Sequence, residues 1–145
     1  MRRAAAALIV AVLVAGCGRS VLSDRQLRLD ATRVCTVTLT RLNRISVPSS
    51  PTGGEQFLRR GVRALRPEIT ALRRLSPPEQ LQSSYDRALD ALRSQLAEMD
   101  RTDASLRRGA DPVETFHTLA GRLGPLEAEV NAAFSALQIP ACGER

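Results

Sequence analysis

The side chains able to do chemistry are few. The chain has three cysteines, Cys17, Cys35 and Cys142, and a single histidine, His117. A thiolate is a nucleophile and a metal ligand, and two thiols in an oxidising compartment pair as a disulfide. One imidazole with scattered thiols makes no zinc set, which wants four donors at short spacing. His117 follows Phe116 and reads as an ordinary surface residue. Carboxylates gather at Asp86, Asp90, Glu98, Asp100 and Asp103. Asp86 and Asp90 stand one helical turn apart, but a Ca²⁺ site needs about six to eight oxygens and usually a shaped loop. Arg87 and Arg93 interleave with them, which makes a solvated face. No serine or cysteine sits in a nucleophile elbow, and no glycine-rich phosphate loop is present. Thr52-Gly53-Gly54 is turn material only. The expectation is a non-enzymatic protein with no metal site and no cofactor.

The position of Cys17 says more. Arg2 and Arg3 precede an uncharged apolar run at residues 4–15, and Leu13-Val14-Ala15-Gly16-Cys17 closes it. The run is too short for a bilayer-spanning helix, which takes about 20 residues. A basic start, a short apolar stretch and small residues form a secretory signal pattern. The last five residues resemble the lipobox of bacterial lipoproteins. That resemblance implies a signal peptide at residues 1–16 and acylation of Cys17 by palmitate-type chains. Residues 17–23 would then be a tether and residues 24–145 a folded domain at the extracytoplasmic face of the cell membrane. Two or more acyl chains give stable anchoring where one gives only marginal binding.

With Cys17 committed to an anchor, Cys35 and Cys142 remain. Outside the cytoplasm an even pair in a small domain reads as a disulfide. It would close a loop on the order of 100 residues and stabilise the fold by about 4–5 kcal/mol in the chain-entropy model.

Charge is unevenly placed. Residues 17–76 hold 12 Arg and 4 acids, whereas residues 77–145 hold 7 Arg and 11 acids; there is no lysine. Arg59, Arg63, Arg66 and Arg73 form a basic stripe. It suits a helix face trading weak surface ion pairs, or a contact with anionic lipid or wall polymer. Nucleic acid is not the expected partner, because the aromatics Phe57, Tyr85, Phe116 and Phe134 offer no stacking platform.

The elements that must carry these residues are helical. Apolar residues recur at steps of three and four, with no sustained alternation. The first helix is expected over 24–45, with a seam at Ala31, Cys35, Thr38, Leu42 and Ile45. The second, over 55–75, carries Leu58, Val62, Leu65, Ile69 and Leu72 at heptad spacing. Ser76-Pro77-Pro78-Glu79 reads as a capping box opening the third helix. Tyr85, Leu89, Leu92, Leu96, Met99 and Leu106 form its seam, with Asp103 as a polar intruder, and Gly109 ends it. Asp111-Pro112-Val113-Glu114 opens the fourth, whose seam runs through Phe116, Leu119, Leu123, Leu126, Val130, Ala133 and Leu137. Short links predict antiparallel neighbours. The expected fold is an all-α, up-down-up-down four-helix bundle closed by Cys35–Cys142. Because Cys35 lies about three turns into the first helix, either that helix starts late or the tail folds back along it.

From Cys35 onward the pattern resembles small actinobacterial lipoproteins of unknown function. The residues that carry this are Leu72–Leu81 (LRRLSPPEQL), 85–96 (YDRALDALRSQL), 109–116 (GADPVETF) and 139–142 (IPAC). The resemblance implies architecture and address, and no catalytic residue.

Pro67 and Pro125 interrupt the second and fourth helices, and each frees a carbonyl. In the expected topology both kinks fall at one height. A pocket for an apolar or amphipathic ligand is expected there, lined by Val62, Leu65, Pro67, Ile69, Leu123 and Pro125. The sequence thus supports a membrane-anchored module that binds an envelope protein or component, or a small carrier or sensor of an apolar ligand.

Overall fold

The computed structural model describes residues 20–50 and 53–143. The expected signal peptide, Cys17 and the first part of the tether lie outside the described residues. Four α-helices follow in order: α1 (Asp24–Leu42), α2 (Gly54–Leu72), α3 (Glu79–Arg107) and α4 (Pro112–Ala136). A 3-10 turn, Pro140–Cys142, closes the chain, and no strand occurs among the described residues. No helix among them is long and apolar enough to cross a membrane.

The helix ends follow local chemistry. The Ser23 hydroxyl accepts the Gln26 N–H at 3.2 Å, and Asp111 accepts the Glu114 N–H at 2.9 Å. Each satisfies a first-turn donor that has no partner within the helix. Gly109 ends α3 at φ +87°, a left-handed conformation that favours glycine. The capping box expected at Ser76–Glu79 is not formed: α3 starts at Glu79 behind Pro78, with no side-chain cap. Ser76 is used differently. Its carbonyl accepts the Leu22 N–H at 2.9 Å, which joins the residues before α1 to the α2–α3 turn. Gln80 donates to Asp24 at 2.8 Å across the same junction.

α3 touches both α2 and α4, and α1 lies on α2 and on the C-terminal turn. Val62, Leu65, Ile69 and Leu72 of α2 are buried with Tyr85, Leu89, Leu92 and Leu96 of α3. Leu27, Ala31 and Cys35 bring α1 into the same core. Leu27 is fully buried although the first turns of α1 read as polar. On α4 the buried place falls to Phe134, one position past the expected Ala133. Burying a side chain of this size contributes roughly 1.5–3 kcal/mol. Tyr85 is buried among these residues and donates its hydroxyl to the Leu72 carbonyl at 2.9 Å.

The tail folds back, and α1 does not start late. Arg28 Nε donates to the Leu137 carbonyl at 3.1 Å, which sets the end of α4 beside the second turn of α1. Gln138 takes a φ of 59° as the chain turns there. Buried Ile139 and Cys142 then run along α1 for about two turns. The Cys35–Cys142 disulfide, with Cα atoms 5.0 Å apart, joins positions 107 residues distant.

Candidate functional site

A groove of about 510 Å³ opens where the N-terminal half of α2 meets α3 and α4. Gly54, Phe57, Leu58 and Gly61 of α2 form one wall, and Phe116, Leu119 and Leu123 of α4 the other. Met99 of α3 lies between them, and Val47, Pro48, Ser49 and Ser50 of the α1–α2 loop cover one side. None of these residues is charged. The volume falls within the range of small-molecule sites, about 300–1,000 Å³.

Two glycines of α2 line the groove, and Gly54 lets the facing helix approach closely. A Cβ on Gly54 would run into the Phe116 ring, and one on Gly61 would sit 3.4 Å from the Met99 methyl. The floor is a small cluster of Leu58, Leu106 and Leu119, with Met99, Phe116 and Leu123 packed on it. This cluster is separate from the main core. The rim is unusually greasy: Val47 is 81% exposed and Phe57 37%. The Leu22–Ser76 junction lies beyond the other end of α2, whose last residue, Leu72, is about 16 Å from Gly61 at 1.5 Å per residue.

Of the six residues expected to line a pocket, Leu123 alone reaches this groove. Val62, Leu65 and Ile69 are consumed by the main core. Pro67 faces outward, in a shallow cleft of about 460 Å³ with Arg63, Arg66, Thr70 and Arg74. Pro125 lies inside α4 on its exposed side. Gly121 and Gly124 have open space around them, so they do not thin α4 against a neighbour. The apolar space is thus displaced toward the start of α2.

The basic stripe is partly neutralised. Arg59 pairs with Glu55 on its own helix and approaches Asp103 of α3 at 3.7 Å. Arg107 holds the other Asp103 oxygen at 3.1 Å, which explains a carboxylate in the α3 seam. Arg66 donates to both Asp100 oxygens, at 2.8 and 2.9 Å. Arg63 and Arg73 have no acidic partner among the described residues, and Arg73 edges a polar cleft with Asp86, Asp90 and Arg93. Between α3 and α4, buried Glu98 takes Arg122 at 2.9 Å and Arg101 at 3.0 Å.

Other chemistry is committed elsewhere. Among the described residues the cluster with metal-ligand spacing is Cys35, Glu68 and Cys142. Both sulfurs are bonded to each other, so no thiolate is on offer. Glu68, 2% exposed, places Oε1 3.3 Å from Cys35 Sγ. Asp86 accepts from Gln82 and Asp90 from Arg93, as a solvated face would have them. His117 is exposed on α4. Burial, reinforced by the charge of Asp86, raises the Tyr85 phenol above its ordinary value.

The groove was hidden in the sequence because its walls come from residues more than 50 positions apart. The local signal was the pair of glycines one heptad apart on α2, flanking Phe57. Comparison with protein-family models, with curated proteins and with solved structures found no match.

Proposed function

We propose that the chain is an envelope lipoprotein, held at the membrane by acylated Cys17, whose four helices run up-down-up-down and bind a small apolar molecule in the α2–α3–α4 groove. The observation that carries this reading is the groove, whose lining holds no charged side chain. An apolar ligand loses its water there without displacing hydrogen-bonded protein groups. The lining also offers no titratable side chain, which supports binding rather than catalysis. The lipobox supports the anchor. The Leu22–Ser76 junction supports a tether leaving the bundle at the end remote from the groove.

A fluorescent apolar probe, N-phenyl-1-naphthylamine, tests the reading. Its emission is expected to rise saturably with wild-type protein. Ser49→Trp, on an exposed loop residue of the wall, is expected to weaken binding at least tenfold with little change in melting temperature. Emission that never saturates, or that is unchanged by both Ser49→Trp and Phe57→Ala, contradicts it.

A second reading is favoured by Arg63 and Arg73, which lack acidic partners among the described residues. On that reading the α2 face meets an anionic surface. Its mark is vesicle binding that falls with salt and with Arg63→Gln/Arg73→Gln; binding indifferent to both rejects it.

A further inference from the structure

We infer that the groove selects single-chain amphiphiles with an anionic head, the chain lying in the groove and the head meeting Arg60 and Arg44 at its mouth. The inference rests on the reading of the groove as an apolar-ligand site and adds the class of ligand.

The uncharged walls admit only the apolar part of a ligand, so any charge must stay at the rim. Two arginines stand next to lining residues along the chain. Arg60 precedes Gly61 and stands one turn from Phe57 on α2, and residues three apart are neighbours on a helix surface. Arg44 lies in the turn ending α1, where its N–H donates to the Arg41 carbonyl, three residues before Val47. Both arginines are exposed, and neither has an acidic partner among the described residues. The nearby carboxylates are already engaged: Glu55 by Arg59, and Asp103 by Arg59 and Arg107. Neither of these two acids is therefore free to neutralise Arg60 or Arg44. Arginine suits the place, since its stem covers apolar surface while its fork grips a carboxylate or phosphate.

Two sources share this chemistry, free fatty acids and lysophospholipids. The test is displacement of bound N-phenyl-1-naphthylamine from the full chain by four ligands below their micellar concentrations. These are laurate, lauroyl-lysophosphatidylglycerol, monolaurin and dodecylamine. The anionic pair is expected to displace the probe about tenfold more tightly than monolaurin, with the amine weakest. Laurate binding more tightly names a free acid as the source, and the lysolipid binding more tightly names a phospholipid. Either ranking supports the inference. Affinity for laurate homologues should rise about fourfold per added CH₂ until the groove is full. Arg44→Gln/Arg60→Gln should abolish the head-group preference while leaving monolaurin affinity unchanged. Monolaurin equalling both anions in the wild type, or a preference that survives the double variant, overturns the inference alone. Failure of all four ligands to displace the probe overturns the groove reading beneath it.

Discussion

The Phe116 ring of α4 lies against the backbone of Gly54 at the start of α2, so closely that a single added methyl at 54 would occupy ring space. This contact joins two helices that are otherwise linked mainly through α3, and it sets one end of the groove. Gly54→Ala gains helix propensity, up to about 1 kcal/mol, yet overpacking costs about 1–3 kcal/mol. The variant is expected to be less stable by roughly 1 kcal/mol in urea unfolding. Gly54→Ala/Phe116→Leu should recover part of the loss, since contacting residues are not additive. Equal stability of wild type and Gly54→Ala would show that the ring does not pack there.

The disulfide fastens a tail that has no helix of its own beyond one short turn. Reduction, or Cys142→Ser, is expected to lower stability by about 4–5 kcal/mol in the chain-entropy model. The loss should appear first as amide exchange at Ile139 and along the Cys35 turn of α1. Denaturation midpoints that coincide with and without a reductant would contradict the pairing.

Tyr85 makes stability depend on alkaline pH. Its phenol is raised in the fold by burial first and by Asp86 second, so the folded state favours the neutral form. That contribution is fully present below the ordinary tyrosine value near 10 and is lost as pH climbs beyond it. Stability should therefore fall above about pH 10. Tyr85→Phe should lose about 1 kcal/mol at neutral pH, because the hydrogen bond to the buried Leu72 carbonyl is gone while that carbonyl keeps the Leu75 N–H. The same variant should show a flatter alkaline limb. Parallel limbs in the two proteins would remove Tyr85 as the cause.

Much of the fold was legible because it is written locally. The cap at Asp111, the glycine at 109 and the heptad steps on α2 and α3 each act within a few residues. The Cys35–Cys142 pair was legible by elimination, once Cys17 was assigned to a lipid. The course of the tail was not, because Arg28 meeting Leu137 spans most of the chain. The pocket was misplaced for a related reason. Val62, Leu65 and Ile69 form the α2 seam, and a seam is what the core uses first. Pro67 and Pro125 lie on exposed faces, and neither lines the groove. The ring–glycine contact that does shape the groove depends on residues 54 and 116 meeting in space, and no periodicity within one helix reports it.

Methionine offers the sharpest test of whether the groove holds an apolar ligand. The chain has two methionines, Met1 and Met99, and Met99 lies in the groove. Methyl-¹³C methionine therefore places a signal in the site at Met99. Titration with laurate is predicted to shift the Met99 methyl saturably, with the shift abolished by Ser49→Trp. A Met99 signal that stays in place up to the micellar limit, while laurate is shown to bind elsewhere or not at all, contradicts the proposed function.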